Sequence, residues 1–455
     1  MATEQRSVER GRIGTALERL GPTWLAGAIA AGPATMGSLL VAGASFGYAL
    51  LWVVVCSAVL GALGQYLAMR LGLLTEAGIV SVVDRHLGSG WAWVLVVDVV
   101  LAAGLAQVII MKTLAEVSAT MVASAGIGVA VLADPRFWGV AWAVLLALGL
   151  AGGGYRVAEI GAKVLVSMVV VAFVAAAFVV PIDPTAAAGG LVPAIPAGVN
   201  GALVAAGILG GAVHITLLTM QSYTMRARGW TVRDADTAIV DIVSSMLGAF
   251  GVFSLAVFLV AASVLPAAGV DPATIDGISA AQTLGPVAGE YATWVFLAGL
   301  LGAAVSTLGG NTIVPPYLLA DKLGWERSTD DSRYRAAVAG VALISAVGAF
   351  VGGAFFQLLV LTLAFGLVGT PFAIAVILVL LNDPDVVPET NSRVANVGGV
   401  VLFVVAAVLA GEFVRGELQT ISDPLSAFVV VFAVAMALAL LGLAGRYVRD
   451  RVSGV

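Results

Sequence analysis

Ala31-Gly32-Pro33-Ala34-Thr35 sits near the middle of an apolar segment at about 22–46, and Gly207-Ile208-Leu209-Gly210-Gly211-Ala212-Val213-His214 sits inside another at about 197–225. Proline removes a backbone amide and glycine adds backbone entropy, so each stretch weakens a helix that its flanks favour. Inside a bilayer, freed N–H and C=O groups must meet protein, water or a bound solute. Two such breaks, each opening one of two corresponding halves, mark an inverted-repeat transporter with its site at the breaks. The plainer reading is that small residues simply let membrane helices approach closely. With 55 glycines in the chain that reading applies to either break alone, and the paired placement argues against it.

Composition agrees with a bilayer as solvent. Of 455 residues 60% are apolar and 11% charged, mean hydropathy is +1.06, and soluble domains are roughly a quarter charged. Windows such as Leu50–Met69, Trp91–Ile110 and Ala427–Leu443 approach the roughly 20 residues that cross a hydrocarbon core. About twelve spans are expected, near 22–46, 47–72, 90–122, 136–153, 160–181, 197–225, 236–266, 290–318, 334–354, 355–381, 394–412 and 424–446. With both termini cytoplasmic, all of the 22 Lys and Arg fall on the cytoplasmic side except Arg136, Arg415 and the intramembrane Lys112. That bias sets the orientation by the positive-inside rule. The polar stretch 1–20 lacks the apolar run of a signal peptide and reads as a cytoplasmic tail. Cys56 is the single cysteine, which excludes an intrachain disulfide and a cysteine metal cluster. No basic run suggests nucleic acid, so the expected partners are a small-molecule or ion substrate and the lipid bilayer. The oligomeric state is left open.

Leu20-Gly21-Pro22, the run Ala42-Gly43-Ala44-Ser45-Phe46-Gly47-Tyr48-Ala49-Leu50-Leu51-Trp52, Leu105-Ala106-Gln107-Val108-Ile109, Tyr155-Arg156-Val157-Ala158-Glu159, Leu191-Val192-Pro193-Ala194-Ile195-Pro196 and Pro371-Phe372-Ala373 occur in order. In these motifs the chain resembles the Nramp metal-ion transporters from about residue 20 to 410. The resemblance implies an all-α integral membrane protein with a LeuT-like fold: two inverted five-helix repeats with broken helices 1 and 6, plus two C-terminal helices. It divides the chain into a tail at 1–20, a first repeat at 21–182, a second at 183–382, and two helices with a cytoplasmic tail at 383–455.

The family's metal ligands do not carry over. Its Asp-Pro-Gly-Asn motif falls on Gly32-Pro33-Ala34-Thr35, and its Met-Pro-His on His214-Ile215-Thr216. A second family histidine becomes Gln221, the span 3 acids linked to proton movement become Gly104 and Gln107, and a span 10 Gln becomes Leu363. Hard divalent ions want carboxylate oxygens and softer ones sulfur or imidazole. What is left is one imidazole, the hydroxyls of Thr35, Ser38 and Thr216, and backbone groups, so no bound metal is expected. Half-helix N-termini carry partial positive charge. A site of Gly32, Pro33, Ala34, Thr35, Ser38, Gly210, Gly211, His214 and Thr216 should therefore favour a small anion or a neutral polar molecule, with bicarbonate the leading candidate. An atypical divalent-metal (Mn²⁺, Fe²⁺ or Mg²⁺) transporter is the alternative. The resemblance also places Ser306 and Thr307 at a Na⁺ site of LeuT-like folds, making Na⁺ the one cofactor in view, although metal-transporting relatives carry the same pair.

Intramembrane charges need partners. Lys112 and Glu116, one turn apart, are expected to pair with each other. Asp98 is expected either to line an inner vestibule or to pair with an arginine such as Arg156, and Arg156 with Glu159 to form an architectural pair. His86 is expected to be solvated. No His-x-x-x-His, Ser/Lys dyad or carboxylate cluster points to an enzyme, and no sizeable soluble domain is left for signalling.

Overall fold

The computed structural model describes residues 32–151, 156–197 and 199–452. All regular structure among them is helical. The helices are α1 (Pro33–Phe46), α2 (Leu51–Thr75), α3 (Ile79–His86), α4 (Ser89–Ser124), α5 (Pro135–Ala151), α6 (Arg156–Val179), α7 (Val199–Val213), α8 (Ile215–Ala227), α9 (Ala235–Val243), α10 (Val252–Val264), α11 (Ala292–Leu323), α12 (Ser332–Ile344), α13 (Phe355–Leu381), α14 (Arg393–Glu417) and α15 (Pro424–Val452). Ten segments are long and apolar enough to cross a membrane, and Pro33–Phe46 and Pro135–Ala151 are shorter apolar helices. Each of the twelve expected spans meets one of these. The first ten residues of span 1, 22–31, and the whole of the expected 1–20 tail lie outside the described residues.

Burial separates core from periphery. Ninety-four per cent of the best apolar window in Gly201–Ala227 is buried and 83% of that in Phe355–Leu381, against 22% for Glu159–Val179 and 28% for Pro424–Arg449. Thus α7, α8 and α13 form the centre, and α6 and α15 present apolar side chains outward, where lipid solvates them. α13 packs against α1, α4, α7, α14 and α15, and α1 against α7, α10 and α13. Small residues make these approaches possible. A Cβ on Gly43 of α1 would lie 2.6 Å from the Ala262 backbone nitrogen of α10. α1 ends at Gly47, whose φ of 54° favours glycine, with its N–H bonded to Gly43 O at 3.0 Å.

On one face of the bundle Asp321, near the end of α11, draws three elements together. Its carboxylate accepts from Ser81 N at 3.1 Å and Ser81 Oγ at 2.9 Å of α3, and from Tyr223 Oη of α8 at 2.8 Å. Arg327 lies 3.4 Å from Asp321 and stacks over Tyr317 at 5.0 Å. By the distribution of Lys and Arg this is the face expected to be cytoplasmic.

Gly43→Val should clash with the α10 backbone and lower stability by about 1–3 kcal/mol, read as a drop in the thermal unfolding midpoint in detergent. Gly161→Ala, where nothing lies within 4 Å of the added carbon, should leave that midpoint unchanged.

Candidate functional site

The second break is narrower than its glycines suggest. α7 runs as helix through Gly207, Gly210 and Gly211 to Val213, and the chain leaves helical geometry at one residue, His214, with φ −52° and ψ 138°. The glycines serve contact instead. A Cβ on Gly210 would lie 2.2 Å from Leu363 O, one on Gly207 2.9 Å from Val360, and one on Gly211 2.9 Å from Thr35 Oγ1. For these three residues the close-packing explanation is correct, because α13 and α1 leave no room for side chains.

The groups freed at the break find partners. Thr370 Oγ1 of α13 donates to Val213 O at 3.0 Å, taking a carbonyl that α7 cannot use. His214 caps α8: its Nδ1 accepts from Thr216 N at 3.4 Å and lies 2.9 Å from Thr216 Oγ1. With Nδ1 accepting from a backbone amide, the proton of the neutral ring sits on Nε2. That buried nitrogen lies against α13, beside the Thr362 backbone, to which the ring is hydrogen-bonded, and beside Gly366, where a Cβ would come within 1.9 Å.

The first break is described from Gly32 onward. Gly32 is the N-cap of α1, extended at ψ −179°, and Pro33 occupies the first turn, where a missing amide costs nothing. The other side of that break, Ala31 included, lies outside the described residues.

Between the two helix starts lies a cavity of about 50 Å³. Gly32, Ala34 and Thr35 of α1 form one wall, and Gly211, His214, Thr216 and Leu217 another. Ala106 and Ile110 of α4, Thr307 and Asn311 of α11, and Thr362 and Leu363 of α13 complete it. The N-terminal ends of α1 and α8 both open onto this space, and among the described residues no Asp, Glu, Lys or Arg lines it. Among the expected residues Gly32, Ala34, Thr35, Gly211, His214, Thr216 and Thr307 come together here. Pro33, Ser38, Gly210 and Ser306 lie outside the lining. Pro33 sets the helix start, Ser38 sits a turn deeper beside Gly207, and Gly210 is covered by Leu363. Ser306 follows a different helical face from Thr307, whose Oγ1 is buried without a hydrogen-bond partner among the described residues.

Asn311 was not among the sequence candidates. Its Nδ2 donates to Ala103 O at 2.7 Å and to Gln107 Oε1 at 3.1 Å, and Gln107 Nε2 donates to Thr312 Oγ1 at 2.7 Å. A neutral amide network therefore stands where the family resemblance puts a span 3 acid. A lone Asn in an apolar span was the signal available for it.

Other intramembrane charges resolve individually. Lys112 pairs with Glu116 as expected and also donates to Val351 O at 2.8 Å. Glu159 pairs with Lys163 at 2.7 Å, one turn along its own helix; the expected partner Arg156 has its side chain outside the described residues. His86 is exposed as expected. Asp98 is 1% exposed, both its oxygens lack hydrogen-bond partners among the described residues, and a Cβ on Gly369 would lie 2.1 Å from them. It packs against Gly369 of α13, three residues from the Gly366 that meets His214, and is not part of the cavity lining.

Interrupted helices meeting at a small cavity within the helix bundle are the arrangement of a LeuT-like secondary transporter. Solved structures share the fold: the Eremococcus coleocola manganese transporter superposes with TM-score 0.71 at 17% identity, covering 95% of this chain and 94% of that one. MhsT in complex with L-phenylalanine gives 0.58 at 16%, covering 86% and 97%. Residues 23–415 match the family model described as natural resistance-associated macrophage protein-like, and the chain belongs to this Nramp family. Curated relatives named divalent metal cation transporter MntH include one from Klebsiella pneumoniae (strain 342), 27% identical over 91% of this chain and 98% of its own length. One from Mycobacterium tuberculosis (strain CDC 1551 / Oshkosh) is 28% identical over 88% and 92%.

Two substitutions test the geometry. Gly366→Ala should push the His214 ring off its position and cut transport at least tenfold while the protein still folds, measured by proteoliposome uptake beside a melting curve. Asp98→Asn should leave stability equal or higher, since an unpaired buried carboxyl gains nothing from ionising. A loss of about 3–5 kcal/mol would reveal an ion partner outside the described residues.

Proposed function

We propose that this Nramp-family transporter carries a small monovalent anion, with bicarbonate the leading candidate, by alternating access through the cavity between α1 and α8. The observation that supports this is the convergence of two helix N-termini on a space lined by His214 and, among the described residues, by no carboxylate. Each helix start acts as about half a positive charge. A divalent ion placed there would face that field with one imidazole and hydroxyls for ligands. Holding it would cost several kcal/mol more than in a site containing an Asp. Bicarbonate is compact, carries one charge, and both accepts and donates hydrogen bonds. Thr35, His214, Thr216, Thr307 and Asn311 offer matching groups.

Na⁺ is the coupling ion consistent with this reading. Thr307 would supply a hydroxyl, Ser306 would have to turn toward the site, and backbone carbonyls would complete the shell. The expected setting is the plasma membrane, with both termini in the cytoplasm.

The test is uptake of radiolabelled bicarbonate into proteoliposomes, with Na⁺ or N-methyl-D-glucamine outside. Saturable uptake should exceed that of protein-free vesicles and fall at least tenfold in His214→Ala. No stimulation over protein-free vesicles overturns the reading. Restoring the family ligands with Gly32→Asp and Thr35→Asn together should abolish anion uptake and create Mn²⁺ binding detectable by calorimetry.

The curated relatives' names favour a second reading, divalent-metal transport through an atypical site. Saturable Mn²⁺ uptake by the unmodified protein, abolished by His214→Ala, would establish it in place of the first.

A further inference from the structure

The α11 wall of the central cavity carries a side chain whose orientation its neighbours dictate. Leu308 O can only accept, and Thr312 Oγ1 donates its one hydrogen to it at 2.6 Å. Towards Gln107 of α4 that hydroxyl is therefore an acceptor, and Gln107 turns Nε2 to it at 2.7 Å. This leaves Gln107 Oε1 facing Asn311, whose Nδ2 donates to it at 3.1 Å and to Ala103 O at 2.7 Å. An amide NH2 has two hydrogens, and both are spent on α4. Turning the Asn311 amide over would set its Oδ1 against Ala103 O, two acceptors with nothing to share.

Asn311 lines the cavity, and Oδ1 is the amide atom left for it. No group among the described residues donates to that oxygen. One turn earlier on α11, Thr307 also lines the cavity, with its Oγ1 buried and without a hydrogen-bond partner among the described residues. A hydroxyl rotates to donate or to accept, whereas the Asn311 oxygen only accepts.

We propose that Asn311 sets the specificity of the central site by requiring a substrate that donates a hydrogen bond: an oxyanion that still carries a proton, in preference to an anion of the same shape and charge without one. This rests on the anion reading above and narrows its substrate class. A hydrogencarbonate ion would turn its O–H to Asn311 Oδ1 and its charged oxygens to the starts of α1 and α8. Nitrate is also planar and singly negative but has no hydrogen to give. One of its oxygens would meet the lone pairs of Oδ1, which would stay buried and unpaired. A site built to hydrogen-bond a substrate O–H discriminates strongly against the analogue that lacks it. The positive potential of the helix starts would by itself treat the two ions alike.

The test is radiolabelled bicarbonate uptake into proteoliposomes of the full-length protein, with unlabelled bicarbonate, nitrate or formate as competitor. In the unmodified protein, half-inhibition by nitrate or formate should need at least about tenfold more competitor than by bicarbonate. Asn311→Ser, which replaces the fixed acceptor with a hydroxyl free to donate, should bring nitrate to within about threefold of bicarbonate. Nitrate competing as well as bicarbonate in the unmodified protein would overturn the proposal and leave the anion reading standing, and that comparison needs no variant to fold. A nitrate discrimination unchanged in Asn311→Ser would overturn it equally. Bicarbonate uptake no greater than in protein-free vesicles would remove the anion reading and this proposal together.

Discussion

A backbone amide or carbonyl cannot go unpaired in hydrocarbon, and the centre of this protein is organised by that constraint. Where α7 stops and α8 starts, one carbonyl is taken by Thr370 of α13 and one amide by the His214 ring. Where α1 starts, Gly32 and Pro33 leave the first-turn amides directed at the same small cavity. The bundle around these ends is rigid because glycines bring backbones into contact, and it encloses the cavity with α4, α11 and α13.

That arrangement makes the cavity's sign a consequence of what lines it. Two helix starts supply positive potential whatever the side chains are. A carboxylate between them would turn the site toward cations, and at Gly32 there is none. The neutral amides of Gln107 and Asn311 continue this polarity along α4 and α11. α13 acts as the common wall, touching His214 through Gly366 and Asp98 through Gly369.

Much of this was legible in the residues. Twelve spans followed from hydropathy, because a bilayer demands apolar length and little else. The Lys112–Glu116 pair followed from helical spacing. The position of the second break was only partly legible: Gly207, Gly210 and Gly211 weaken a helix in isolation, yet here they are helical because α1 and α13 press on their backbones. Propensity reports local cost and cannot see a neighbour arriving from 150 residues away. The same blindness explains Asn311, which belongs to the site through a fold-level contact with α4. Asp98 could be recognised as costly but not as unpaired, since its surroundings are set by Gly369 on a distant helix.

The sign of the central cavity is open to direct observation. Crystals soaked separately in bromide and in Mn²⁺ would each show the ion by anomalous scattering. The account predicts a bromide peak between the starts of α1 and α8, within reach of His214 Nε2, and no Mn²⁺ peak there. An Mn²⁺ peak coordinated by His214 and the α1 start, with no bromide, would contradict it.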